Sequence, residues 1–289
     1  GLLAGCAQIA IELFDPKSSA DGLARHGATL AGAGTVFHQA YLALQRASSA
    51  PVLPRVRAFP GGGAPKPPGL HDEMKRAFGG TGIVAGYGLT EHPIATMCTV
   101  RDPDAKLAET EGRATPGTEL RVVRLDGPPA APGEEGEVRV RGPHLCRGYV
   151  DAALDRDAFD ADGFFRTGDL GVLDRDGYLV VTGRLKDVII RKGENLSAKE
   201  IEDHLAAHPK VRDVAVVGLP DAARGERACA VVVCADAGDP LGLDEMARFL
   251  RSRGLAAQKL PEQLELTDEL PRNAAGKVLK RELRARYAG

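Results

Sequence analysis

The chain has 289 residues, enough for roughly two domains at about 150 residues each. Its 38 Lys+Arg against 40 Asp+Glu leave a formal net charge of −2, without the basic excess that binding a phosphate backbone requires, so no nucleic-acid partner is expected. Hydrophobic content of 43% and charged content of 27% are those of a globular chain, and no apolar run reaches the ~20 residues of a membrane-spanning helix.

The chain opens at Gly1 with GLLAGC, which reads as the end of a helix, and runs straight into QIAIELF, which reads as a buried strand over Gln8–Phe14. The basic leader and cleavage site of a secretory signal are missing, and a start inside a core element predicts a fragment of something longer. SSADGLARHG predicts a helix capped by Ser18 or Ser19, both good N-cap residues. ATLAGAG reads as a second strand and VFHQAYLALQRA as a second helix, an alternation that argues for an α/β layered sheet. PVLPRVRAFP leads a short strand into the loop GGGAPKPPG; GLHDEMKRAFG reads as a helix and GIVAGYG as a strand. From 112 to 150 short strands take over, TELRVVR and EVRVRG around a Gly/Pro loop, which predicts a β-rich subdomain. YLVVTG closes this part. A boundary is expected near 184–187, giving domains 1–185 and 186–289.

Beyond it, DVIIRKG, VRDVAVVGL and RACAVVVCA read as strands. Ser197-Ala-Lys-Glu200 is a capping box opening the helix AKEIEDHLAAH; LDEMARFLRSRG and KVLKRELRARYA complete a small α+β set. The overall expectation is α/β followed by a compact α+β domain. No internal repeat is visible. Cys6, Cys98, Cys146, Cys229 and Cys234 are scattered, which predicts free thiols in a reducing, cytoplasmic compartment. His204 and His208 stand four apart with no third ligand nearby, which reads as a helix end rather than a zinc site. Gly80-Thr-Gly82-Ile-Val-Ala85 matches a dinucleotide fingerprint, but here a helix precedes and a strand follows, the reverse of the required order.

Six short segments stand out in order: GGGAP (61–65), YGLTE (87–91), GEVRVRGPHLCRGY (136–149), DGFFRTGDLG (162–171), GYLVVTGRLKDVIIRKGENLSAKEIE (177–202) and LPRNAAGKVLKREL (270–283). Each by itself has an ordinary explanation as a turn, a cap or a surface charge. Together they resemble the acyl-adenylate-forming, AMP-binding superfamily, and the wording RKGENLSAKEIE looks most like its acyl-CoA synthetase branch. The resemblance implies the later part of a large α/β adenylate-forming domain with a β-rich subdomain, plus a small mobile C-terminal domain. It implies ATP, Mg2+ and CoA as cofactors and a small carboxylic acid as substrate, joined through an acyl-adenylate.

The same resemblance implies roles residue by residue. Gly62, Gly63, Ala64 and Pro65 form one wall of the adenine site, and Tyr87 with Gly88 the other. Thr90 reaches the α-phosphate and Glu91 holds Mg2+, for which a hard oxygen ligand is the right chemistry. Asp169 accepts from the ribose hydroxyls, with Val181 and Arg184 beside the nucleotide. Lys186, with Asp187 as second choice, is the hinge; their bland reading is a solvated ion pair. Gly193 and Glu194 line the CoA tunnel. Lys277 is the catalytic lysine, stabilising charge on the α-phosphate. Gly34–His38 and Val84–Gly88 contribute to the acid pocket, with His38 either near the acid or a buried structural histidine.

The family's Ser/Thr/Gly-rich phosphate loop ending in Pro-Lys-Gly has no counterpart. The chain is therefore expected to be N-terminally truncated, to expose strand edges in its first 59 residues, and to have weak or no ligase activity alone. A missing N-terminal segment or a second copy of the chain is an expected partner. Alternatives are an adenylating module that loads a carrier protein and a non-catalytic nucleotide-binding remnant.

Overall fold

The computed structural model describes residues 4–32, 34–63, 66–191, 194–273 and 276–288. Its contacts divide the chain into two compact units: Gly1–Arg121 with Val140–Phe165 and Leu173–Val180, and Val122–Arg139 with Arg166–Val172 and Val181–Gly289.

In the first unit, α1 (Pro16–Arg25) and α2 (Thr35–Arg46) precede β1 (Phe59–Gly62), α3 (Leu70–Phe78) and β2 (Ile83–Tyr87). Then come β3 (Thr96–Met97), α4 (Asp104–Glu109) and β4 (Arg113–Ala114). The sheet order is β1-β2-β3-β4, with β1 and β2 parallel and the later pairs antiparallel. One core joins Leu23, Tyr41, Leu42, Phe59, Met74 and Ile83. These residues lie on the apolar faces of α1, α2 and α3 and the inner face of the strands, as helical and strand periodicities require.

Two expectations for this region fail. Gln8–Phe14 is not a strand: it is irregular chain, with Leu13 84% exposed, because a strand exists only through its ladder and no described residue pairs with it. Among its described residues, ATLAGAG contributes only the isolated parallel bridge Leu30↔Ala58. The cap of α1 is neither Ser18 nor Ser19. Asp15 is the N-cap, accepting from Ser18 N at 2.8 Å, and Pro16 takes the first helical position, where its fixed φ and missing N–H cost nothing. The Gly80–Gly82 segment follows helix α3 and precedes strand β2, the order that argues against a dinucleotide fingerprint. A Cβ on Gly80 would lie 2.2 Å from the Arg57 carbonyl oxygen, so that glycine answers to backbone packing.

A four-stranded sheet of order β5-β6-β7-β8 follows, from β5 (Glu119–Val123), β6 (Glu135–Arg141), β7 (Phe165–Leu173) and β8 (Leu179–Arg184), with α5 (Asp155–Ala158) between its second and third strands. This is the β-rich part expected from 112 onward.

The second unit continues with β9 (Val188–Arg191), β10 (Glu194–Ser197), α6 (Ala198–Leu205), β11 (Val211–Asp221) and β12 (Gly225–Cys234). It ends with α7 (Leu243–Ser252), β13 (Gln263–Leu266) and α8 (Lys280–Tyr287). The sheet runs β10-β9-β12-β11, with β13 parallel to β12. Ser197 caps α6, its side chain accepting from Glu200 N. The hairpin β11–β12 is the spine, and its period-2 alternation splits the core. Val216, Ala228, Ala230 and Val232 pack with Ile201 and Leu205 of α6 and Met246 and Leu250 of α7. Ala215, Val217, Cys229 and Val231 pack with Leu270 and with Leu283 of α8. Gly276 and Lys277 thus lie just before a helix fixed to the second face. His208 Nδ1 accepts from Lys210 N at 3.1 Å and its ring meets Phe249 edge-on, a packing role.

Candidate active site

In the first unit the candidate residues gather at the carboxyl ends of β1 and β2. Gly62 stands opposite Gly86 in register, and a Cβ on Gly62 would lie 2.2 Å from the Gly86 carbonyl oxygen. Glycine is therefore demanded there by the approach of the two strands. Gly63 has φ +80° and faces open space. Ala64 and Pro65 lie outside the described residues. Tyr87 closes β2, half-buried. A Cβ on Gly88 would meet the Pro93 carbonyl oxygen at 2.1 Å, so the chain can turn there only with glycine.

Leu89 and His92 exchange backbone hydrogen bonds, both 3.1 Å, and the turn so made carries exposed Thr90 and half-buried Glu91. The Glu91 carboxylate accepts from the Tyr149 hydroxyl at 2.6 Å, and Cys146 N donates to the Glu91 carbonyl at 2.7 Å. Glu91 pushes the Tyr149 phenol up to about 12, so Tyr149 stays protonated and keeps donating. Tyr149 ends the segment GEVRVRGPHLCRGY, where the sequence singled out no role for it; an aromatic closing a motif was the available signal.

Among the described residues no three His, Cys, Asp or Glu side chains gather to hold a metal unaided. Mg2+ on a nucleotide needs only one or two carboxylates beside the phosphates, and Glu91, its position fixed by Tyr149, fits that requirement.

In the second unit, Asp169 is 5% exposed and its Oδ1 accepts from Arg184 Nε at 2.5 Å. Thr167 positions it: the hydroxyl donates to the Val138 carbonyl at 2.6 Å and accepts from Asp169 N at 3.0 Å. Gly168 between them has φ +67°, a left-handed conformation natural to glycine. Val181 is half-buried in β8. Two residues read from separate segments, Asp169 and Arg184, are thus neighbours.

Lys186 and Asp187 lie in the 3-10 turn Leu185–Asp187 between β8 and β9. Asp187 pairs with Arg284 of α8 at 2.8 Å, and Arg284 also donates to the Lys186 carbonyl at 3.3 Å. Arg284 is thus the long-range partner of Asp187, and no local spacing announced it. Glu194 is exposed and stands opposite Arg191 in register. Gly193 lies outside the described residues.

Lys277 is exposed on a tight turn. Its backbone N–H donates to Asn273 Oδ1 at 3.0 Å, Asn273 N donates to its carbonyl at 3.0 Å, and Arg272 bridges antiparallel to Val278. The turn holds the backbone while the long side chain projects.

The chain matches the family described as AMP-binding enzyme over residues 1–150, and its companion, AMP-binding enzyme C-terminal domain, over residues 200–277. It belongs to this adenylate-forming ligase family. A salicyl-AMP ligase / salicyl-S-ArCP synthetase of Mycobacterium tuberculosis is 39% identical over 97% of this chain and 50% of its own length. A feruloyl-CoA synthase of an Amycolatopsis species is 37% identical over 99% of this chain and 57% of its own. The crystal structure of ATP-bound MatB from Rhodopseudomonas palustris superposes with a TM-score of 0.85 at 33% identity, covering 95% of this chain and 54% of that one. The chain thus spans about half the length of the curated relatives it matches. Among the described residues no helix is long and apolar enough to cross a membrane.

Proposed function

We propose that this chain carries the nucleotide-handling and thiol-transfer parts of an ATP-dependent acid–thiol ligase, with domains 1–185 and 186–289. In the first step the carboxylate of the acid attacks the α-phosphorus of ATP; a new O–P bond forms and pyrophosphate leaves. In the second a thiol attacks the acyl carbonyl; a thioester forms and AMP leaves. Gly62 and Gly63, with Ala64 and Pro65, flank adenine opposite Tyr87 and Gly88. Asp169 accepts from the ribose hydroxyls, its orientation held by Arg184 and Thr167, and Val181 lies beside the nucleotide. Thr90 donates to the α-phosphate, and Glu91 would hold Mg2+, which would supply positive charge against the departing phosphates. Lys277 stabilises the charge developing on the α-phosphate, where a placed cation acts most strongly. Lys186, with Asp187 beside it, is the point of rotation between the two steps, and Gly193 and Glu194 then serve the thiol. One scaffold must offer different groups to one reacting centre in turn, and this requires a moving element.

The observation that carries the reading is the Asp169–Arg184 pair, a buried carboxylate and a guanidinium at 2.5 Å. Two oxygens on one carboxylate suit a vicinal diol. Calorimetric titration of this chain with Mg·ATP tests it. Binding is expected, weakened about tenfold by Asp169→Asn, the loss of one charge-assisted hydrogen bond; absence of ATP binding overturns the reading. Where acid-dependent pyrophosphate release is measurable, Lys277→Ala is expected to slow it by about 100-fold or more.

The 39% identical relative whose name includes salicyl-S-ArCP synthetase supports a second reading, in which a carrier protein supplies the thiol. Thioester formation with free CoA favours the first; turnover only with a phosphopantetheinylated carrier favours the second.

A further inference from the structure

His38 lies on α2 and is 1% exposed. Its Nε2 is buried and has no hydrogen-bond partner among the described residues. The ring also hydrogen-bonds the backbone of Pro60. A proline backbone offers a carbonyl and no N–H, so the imidazole must be the donor there, through Nδ1. Burial pushes the His38 pKa down to about 4. The ring is therefore neutral at pH 7 and carries a single proton, already committed to Pro60. Nε2 is left as a lone pair, an acceptor without a donor.

That ring lines a recess at the carboxyl ends of the parallel strands β1 and β2, with Gly61, Gly62, Ala85 and Gly86 around it. Ligands of open α/β sheets enter at this end of the strands. Lys66 and Glu111, of opposite charge, also line the recess. The Lys66 ammonium donates to the Leu107 and Thr110 carbonyls, and burial lowers its pKa while Glu111 raises it. An anionic group placed against Nε2 would meet a lone pair, whereas a hydroxyl would satisfy it.

We propose that His38 is a specificity-determining residue whose Nε2 accepts a hydrogen bond from a hydroxyl group carried by the carboxylic acid substrate. The assignment of that hydroxyl to the acid rests on the ligase reading above; the acceptor itself rests on the geometry of His38, Pro60 and the recess. A second neutral donor of matching chemistry is the exocyclic amino group of adenine, and the experiment separates the two.

Nitrogen-15 NMR of the histidine side chains in this chain reads the tautomer directly. The expected result is a protonated Nδ1 and an unprotonated Nε2 at His38; a proton on Nε2 overturns the proposal, and no variant is needed. Phenol and toluene, equal in shape and differing by the donor, are then titrated. Phenol is expected to shift the His38 Nε2 resonance and to bind about tenfold more tightly than toluene, the effect of one hydrogen bond to a buried acceptor. His38→Phe is expected to abolish that preference. Equal responses to phenol and toluene, or a His38 shift with ATP and none with phenol, overturn the proposal. Mg·ATP binding by calorimetry on the same samples reports separately on the parent reading. ATP bound without a phenol response rejects the acceptor alone. A phenol response without ATP binding rejects the ligase reading and leaves the acceptor without its assignment to the acid.

Discussion

At the scale of single residues, capping and burial decide most. Ser197 accepts from Glu200 N at 3.2 Å, and Ser197→Ala is expected to destabilise the second unit by about 1 kcal/mol, read as a lower denaturation midpoint with unchanged slope. His38 has an acid-side consequence as well. Its folded pKa of about 4 lies below the ordinary value of 6.5, so the unfolded chain binds the proton first. Stability is therefore retained above pH 6.5 and falls as the pH drops from there toward 4, by on the order of 3 kcal/mol from this residue. His71 and His92 are also pushed down by burial and act in the same direction. Urea titrations of wild type and His38→Gln between pH 7 and 4.5 check the sign: the variant is expected to lose less stability on acidification.

At the scale of elements, close backbone approach and long-range pairing take over. The Gly62 position tolerates no side chain, since its Cβ would overlap the Gly86 carbonyl at 2.2 Å. Gly62→Ala is expected to force β1 and β2 apart and cost about 2 kcal/mol or more, with loss of amide protection confined to those strands. The last helix is fixed at two points. Lys280 pairs with Glu202 at 2.7 Å, and Glu202 also accepts from Val216 N at 2.7 Å. Burial raises the Glu202 pKa and Lys280 opposes that rise. Lys280→Met is expected to destabilise by about 1–3 kcal/mol. The native carboxyl then holds its proton to higher pH than the unfolded one does, so the loss grows as pH rises, which thermal melts at pH 5 and pH 8 would reveal. The Arg284–Asp187 pair explains how α8 and the turn at 185–187 are held within one unit. That contact spans 97 residues of sequence, so no local pattern could announce it.

At the scale of the molecule, the two cores of the C-terminal part draw, among the described residues, only on those between Ile189 and Tyr287. Residues 186–289 expressed alone are expected to unfold in a single cooperative urea transition, because the β11–β12 hairpin carries a buried layer on each face. A non-cooperative transition would show that the boundary near 185 is misplaced. Much of this architecture was legible beforehand. VFHQAYLALQRA, LHDEMKRAF and LDEMARFLRS show helical periodicity and fold as helices, and RACAVVVCA folds as a doubly buried strand. The candidate site was legible only as an ordered string of segments. Glu91 and Lys277 stood out by their place in it, while Tyr149, the partner that orients Glu91, did not.

The sequence by itself determined the family, the order of the elements and the helices, because periodicity, capping and motif order are properties of neighbours along the chain. Tertiary structure alone decided that QIAIELF is not a strand, that Asp169 meets Arg184, that Tyr149 holds Glu91, and that His38 is buried with its Nε2 unpartnered among the described residues. Each of these depends on whether a hydrogen-bonding partner from a remote segment arrives, and a buried donor or acceptor takes its role from that partner.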